Sequence, residues 1–279
     1  MSLIEEAIAR MRGERQLSTP PVAGSITRPS TATAFNRSAL TDAPVEPVDM
    51  NSLARLDLDF DRLEKSRVIN QGGISPGVSA YKMLRTRVIQ RMRANGWRRL
   101  AITSLAPGEG KTLTCLNLCI SIARDRNFQS VLTELDLRRL SICKYLGVDV
   151  EAGIESYLQG NRSLQNSVYA TSMAGLYLAP AGQVQENSSE LLASTRAHSL
   201  VASLSAIGDA TFCVFDLPPL LQADDLLVFA PLVDAVLLVV AEGQTNRQDL
   251  VRAKELLVDL NLLGVVLNQS MEPIEAYGY

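Results

Sequence analysis

The chain has 279 residues, 47% of them hydrophobic, enough to bury one large core and to carry appendages. Its 30 acidic side chains against 27 lysines and arginines leave a formal charge of -3, which argues against a general nucleic-acid-binding surface. No stretch approaches the roughly 20 uninterrupted apolar residues needed to cross a bilayer, since the longest candidate, 226–241, is broken by Pro231 and Asp234.

Residues 1–17 are expected to form an amphipathic helix, with Leu3, Ile4, Ala7, Ile8 and Met11 at helical spacing and Glu6 four residues before Arg10. They lack a basic region followed by an apolar core, so no export signal is expected and the expected location is cytoplasmic. Residues 18–76 read as a flexible linker, rich in Pro, Ser, Thr and Ala up to Val48, then a small adaptor carrying Leu53, Leu56, Leu58, Phe60 and Leu63. The main domain is expected over 77–270, with a short tail at 271–279. Near its start, Lys82, Arg85, Arg87, Arg91, Arg93, Arg98 and Arg99 form a basic run without an acid. Met83, Leu84, Val88, Ile89 and Met92 give that segment a face to bury, so the arginines are expected outward, docking a subunit rather than DNA.

From residue 77 strands and helices alternate. Strand-like runs fall at 99–104, 131–136, 175–179, 211–216, 235–241 and 263–268, and helical patterns fill the intervals, 189–207 and 246–260 among them. Several strands are apolar throughout, as expected when helices cover both sheet faces. This predicts an α/β fold: a doubly wound, mostly parallel sheet flanked by helices, with right-handed crossovers and ligands at the carboxyl ends of the strands. Thr112, Asp136, Asp216 and Asn268 all fall at or just after such ends.

The stretch Leu105-Ala106-Pro107-Gly108-Glu109-Gly110-Lys111-Thr112 follows the first of these strands and precedes a helix beginning near Leu113. A strand, a Gly-containing loop ending in Gly-Lys-Thr, and a helix make the P-loop arrangement. The amides of Gly108, Glu109, Gly110 and the first helical turn through Leu113 present positive potential to phosphates. Lys111 would reach the β- and γ-phosphates, and the Thr112 hydroxyl would ligate Mg²⁺. Leu105 stands where the strict pattern has glycine. Glu134 and Asp136 close a strand two positions apart; on a regular strand both face one side and both point at one Mg²⁺ or one hydroxyl. Asp216 follows four apolar residues, where an acid is expensive to bury without a cation, and Mg²⁺ held through a water fits that need. Cys115, Cys119, Cys143 and Cys213 form no Cys-x-x-Cys pair and His198 is the sole histidine, so the cysteines read as small core residues of a reducing compartment.

The order Gly108-Glu109-Gly110-Lys111-Thr112, then Asp136-Leu137-Arg138-Arg139, then Phe215-Asp216-Leu217-Pro218-Pro219 resembles the bacterial protein-tyrosine kinases of exopolysaccharide and capsule synthesis. The resemblance spans 81–270 and includes Pro180-Ala181-Gly182, Ser189-Glu190-Leu191-Leu192 and Gly264-Val265-Val266-Leu267-Asn268. Ser2-Leu3-Ile4-Glu5-Glu6-Ala7 looks like the start of the subgroup linked to exosortase-type loci. The resemblance implies a P-loop NTPase of the partition-ATPase-like class, acting as a tyrosine autokinase with ATP and Mg²⁺. It matches Lys111 and Thr112 to the Walker A lysine and hydroxyl, and Asp216 to the Walker B aspartate. Glu134 and Asp136 fall on the two aspartates that help bind Mg²⁺ and activate the substrate tyrosine. Asn268 is similar to the asparagine that reads adenine, and Tyr277 and Tyr279 stand where the family is autophosphorylated. The implied partners are a membrane polysaccharide co-polymerase (chain-length protein) as activator and further copies of the chain, placing it peripherally at the inner membrane. The chain departs from the family in four respects: Glu134 replaces an aspartate, Leu140 a proline, Ser79-Ala80-Tyr81-Lys82-Met83-Leu84-Arg85 the Glu-x-x-Arg-x-x-Arg of ring assembly, and the tail has two tyrosines where many relatives have more. Two alternatives stand beside the kinase reading: a partition-type ATP-binding switch, and a weakly active structural regulator of a membrane polysaccharide complex.

Overall fold

Uninterrupted runs such as Ala235-Val236-Leu237-Leu238-Val239-Val240-Ala241 are buried at every residue because consecutive side chains enter different cores on the two faces of one sheet. The computed structural model describes residues 43–69 and 76–270. The expected N-terminal helix, most of the expected linker, and the tail with Tyr277 and Tyr279 lie outside the described residues.

The strands are β1 (Arg55–Leu56), β2 (Arg99–Ser104), β3 (Gln129–Glu134), β4 (Tyr169–Thr171), β5 (Leu176–Ala179), β6 (Thr211–Asp216), β7 (Ala235–Ala241) and β8 (Leu262–Asn268). They form one sheet in the order β1-β4-β5-β3-β6-β2-β7-β8. Neighbours run parallel except the β4–β5 pair. The helices are α1 (Phe60–Lys65), α2 (Pro76–Ala94), α3 (Lys111–Ala123), α4 (Ile142–Leu146), α5 (Ile154–Leu158), α6 (Ser188–Leu192), α7 (Thr195–Ser205), α8 (Asp225–Phe229) and α9 (Arg247–Leu256). On one face Val131, Phe215 and Leu238 pack with Leu200 of α7, Phe229 of α8 and Leu250 of α9. On the other, Leu132, Val214 and Val239 pack with Met92 of α2 and with Leu116 and Ile120 of α3. The α/β, mostly parallel architecture expected from the sequence is the one observed.

Differences are local. The described part of the expected linker and adaptor is not a separate unit. β1 pairs with β4, and Leu58, Leu63, Val68 and Ile69 are buried in the same core as α3. The Ile69 N–H donates to Asn117 Oδ1 at 2.8 Å, and the Glu46 N–H donates to Ser203 Oγ at 2.8 Å. So few apolar residues make no core of their own, and they gain burial only by joining the sheet. The helix expected over 189–207 is two helices, because Ser194 breaks it as an N-cap: extended at φ -73°, it accepts the Ala197 N–H with its hydroxyl. The basic run divides: Lys82, Arg87, Arg91 and Arg93 are exposed, as expected, while Arg85, Arg98 and Arg99 are half-buried. Arg85 donates to Ser121 O and Arg91 to Leu263 O, while the Arg93 guanidinium lies 5.7 Å from the Phe128 ring centre. Arg98 pairs with Asp209 at 2.9 Å, and Arg99 Nε donates to Asp234 at 3.1 Å. Arginine stems can lie along apolar surface while their heads reach a carbonyl, ring or carboxylate at its rim, which hydrophobic periodicity does not register.

Candidate nucleotide site

The loop between β2 and α3 is built around its own glutamate. The Glu109 carboxylate accepts the N–H groups of Leu105 and Ala106 at 2.7 and 3.0 Å and the hydroxyl of Thr245, and the residue is only 1% exposed. Its side chain therefore faces into the loop, and its expected role toward a nucleotide falls to the backbone. Gly108 and Gly110 adopt φ +85° and +89°, the left-handed region where glycine is strain-free. Leu105 is not in that region and sits in the core, so the loop needs no glycine there. Asn268 Nδ2 donates to Glu109 O at 2.8 Å, and Gln269 Nε2 donates to Gly108 O at 2.7 Å. The end of β8 thus grips the loop from behind, and Asn268, expected to read adenine, has its amide nitrogen on the loop. A Cβ at Gly110 would lie 2.1 Å from Asn268 Nδ2, whereas one at Gly108 meets nothing within 4 Å. Gly110→Ala is therefore expected to cost about 2–4 kcal/mol against about 1–2 for Gly108→Ala, the extra coming from displacing Asn268. Urea unfolding of the two variants, with and without Asn268→Ala, checks this.

Behind the loop, α3 begins at Lys111, and its first intrahelical bond runs from the Thr114 N–H to Gly110 O at 2.9 Å. The amides of Lys111, Thr112 and Leu113 precede that bond and lie at the positive end of the helix. Lys111 Nζ lies 2.6 Å from Asp136 Oδ2 and 3.1 Å from Asp216 Oδ1. The Thr112 hydroxyl donates to Asp216 Oδ2 at 2.7 Å. Burial works to lower the Lys111 pKa, but Asp216 and Asp136 reverse it and hold the ammonium charged. Burial pushes the Asp216 carboxyl up, opposed by Lys111 and Thr112. Lys111, Thr112, Asp136 and Asp216, from three separate points of the sequence, thus meet at the carboxyl ends of β2, β3 and β6. Lys111, Thr112 and Asp136 line a cleft of about 480 Å³, joined by Arg138, Tyr145 and Pro218.

Glu134 is a correction. β3 ends at Glu134, so the strand alternation that was to align it with Asp136 does not reach Asp136. The Glu134 carboxylate is fully buried and accepts three backbone N–H groups: Ser141 at 2.6 Å, Ile142 at 2.9 Å and Ala181 at 3.1 Å. Burial pushes it up to about 7 in spite of those three donors. It ties the start of α4 and the loop after β5 to the end of β3, and so holds the wall of the cleft.

Sequence reasoning passed over Arg138 and Tyr145 as cleft residues, and Thr245 and Gln269 as supports of the loop. Arg138 had a signal, two residues after a strand-end aspartate; Thr245 and Gln269 had none. The four cysteines are all free. Cys115, Cys119 and Cys213 are buried, and burial raises each thiol, as expected of core residues.

A strand-to-helix loop of this build on a mostly parallel sheet, with a lysine and two strand-end aspartates converging behind it, defines the P-loop NTPase fold. No protein-family model matches the chain. The tyrosine-protein kinase CpsD of Streptococcus pneumoniae serotype 4 is 29% identical over 182 residues, which cover 64% of this chain and 79% of that protein. The kinase domain of the Escherichia coli tyrosine kinase ETK superposes with a TM-score of 0.67 at 26% identity, covering 81% of this chain and 93% of that one. The VpsO kinase domain is 30% identical with a TM-score of 0.57, covering 68% of this chain and 97% of that one. The chain belongs to the bacterial tyrosine-protein kinase family.

Proposed function

We propose that this protein is an ATP-dependent protein-tyrosine autokinase that regulates exopolysaccharide polymerisation or export. The observation that carries the reading is the buried cluster of Lys111, Thr112, Asp136 and Asp216 behind a glycine-containing strand-to-helix loop. Membership of a family whose relatives are named tyrosine-protein kinases supports it. Thr112, Asp136 and Asp216 offer only oxygen donors, the chemistry that suits Mg²⁺. Bound there, Mg²⁺ would neutralise phosphate charge during transfer.

The chain's own residues do the rest. The loop amides and Lys111 hold the β- and γ-phosphates and stabilise the charge that builds on them. The tyrosine oxygen bonds to the γ-phosphorus as the bond from that phosphorus to the bridging oxygen breaks, and ADP leaves. Asp136, at the cleft wall beside Lys111, accepts the phenolic proton, the role that Glu134 is too enclosed to fill.

The acceptors in this reading are Tyr277 and Tyr279, modified by a neighbouring copy of the chain. Each phosphate adds nearly two negative charges, enough to repel a docked neighbour. No described helix is long and apolar enough to cross a membrane. In this reading a membrane polysaccharide co-polymerase acts as activator. Tyr277→Phe/Tyr279→Phe is expected to remove most phosphotyrosine from protein isolated from cells that contain the activator, read by mass spectrometry. An unmodified wild-type tail in those cells would favour the partition-type ATP switch.

A further inference from the structure

Asp225 opens α8 fully buried, and neither carboxylate oxygen makes a hydrogen bond of good geometry, with Ser188 and Arg138 the polar side chains beside it. The cation facing it is Arg138, whose Nη2 lies 3.9 Å from Asp225 Oδ2. Arg138 Nε donates to Ser188 Oγ at 2.9 Å, and Ser188 is itself buried at the start of α6. The other side of Arg138 is open: its side chain is 45% exposed and lines the same cleft as Lys111 and Asp136.

A buried acid so thinly supported is a poor way to stabilise a fold, and an amide of the same shape avoids the desolvation of a charge. Asp225 therefore needs a reason outside stability, and the group it faces supplies one. We propose that Asp225 is a positioning residue, which together with Ser188 holds the Arg138 guanidinium in the cleft, where it meets the anionic end of the transferred phosphoryl group. Ser188 fixes Nε by a directed bond, while Asp225 supplies the charge that keeps the guanidinium from swinging into solvent. The phosphoryl part of this inference rests on the kinase reading above; the hold of Asp225 on Arg138 does not.

The test is a double-mutant cycle on the full chain, using Asp225→Asn, Arg138→Ala and the pair. Asp225→Asn is expected to melt at the wild-type temperature or above it. It should bind Mg-ADP within about twofold of wild type and lower kcat about tenfold with little change in KM for ATP. In the Arg138→Ala background the same substitution should change nothing further. A readout independent of turnover comes from NMR of protein labelled with ¹⁵N-arginine: the Arg138 Nε–H should exchange slowly in wild type and quickly in Asp225→Asn. An equal loss of kcat in both backgrounds, or an Arg138 signal unmoved by Asp225→Asn, overturns the proposal. If wild-type protein transfers no phosphate at all, the kinase reading fails, and the NMR comparison alone still decides whether Asp225 holds Arg138.

Discussion

Replacing Lys111 with methionine is expected to lower Mg-ATP affinity by about 10²-fold or more and to abolish phosphoryl transfer, since one preorganised donor to a transition state is commonly worth that much. The geometry adds a second effect. Lys111 is the cation between Asp136 and Asp216, both buried, and methionine leaves the two acids without a cation between them. Removing one partner from a buried ion pair typically costs about 3–5 kcal/mol, so the variant should also unfold at lower denaturant. Lys111→Met/Asp216→Asn should recover much of that stability and none of the activity. Calorimetry with Mg-ATP and urea titrations separate the two effects. Undiminished ATP affinity in a folded Lys111→Met protein would remove the loop from the account.

The second large effect concerns Glu134, as a matter of stability. Glu134→Ala orphans three backbone N–H groups that are now accepted by one carboxylate. At about 1–3 kcal/mol for each unsatisfied donor, the loss should exceed about 3 kcal/mol, with activity falling because the cleft wall moves. The pH dependence has a definite sign. The carboxyl is raised from 4.5 to about 7, so the folded chain binds this proton more tightly than the unfolded chain. Its contribution is fully present below about pH 4.5 and is lost as pH rises through 7, by about 3 kcal/mol for a shift of that size. Glu134→Gln cannot titrate and turns an amide N–H₂ toward the Ala181 N–H. It should be less stable than wild type near pH 5, and the gap should narrow by pH 8. Unfolding free energies at both pH values check this, and a gap that widens with pH would contradict it.

The parts of this molecule legible in the sequence are those fixed by local pattern. β2, β6 and β7 stand where apolar runs end in Ser104, Asp216 and Ala241, because a strand buried on both faces has no polar alternation to confuse it. The convergence of Lys111, Thr112, Asp136 and Asp216 follows from the parallel topology, which sends every strand's carboxyl end to one side. Glu134 was misread for a physical reason: the rule of two assumes that the strand continues, and this one stops at the glutamate itself. The glycine missing at Leu105 proved immaterial, since the strict pattern records conformation and this residue stays out of the left-handed region. Nothing local announces that Gln269 reaches Gly108 across 161 residues, or that two residues at 55–56 add a strand to the sheet. Those contacts are products of the assembled fold.

Transfer of the γ-phosphoryl group of ATP to tyrosine in this cleft can be measured directly. Full-length protein incubated with Mg²⁺ and γ-³²P-labelled ATP, together with the cytoplasmic part of its membrane activator, tests it directly. Label is expected on tyrosine in wild type and none in Lys111→Met. Wild-type protein that binds ATP, yields only free phosphate and carries no phosphotyrosine would contradict it.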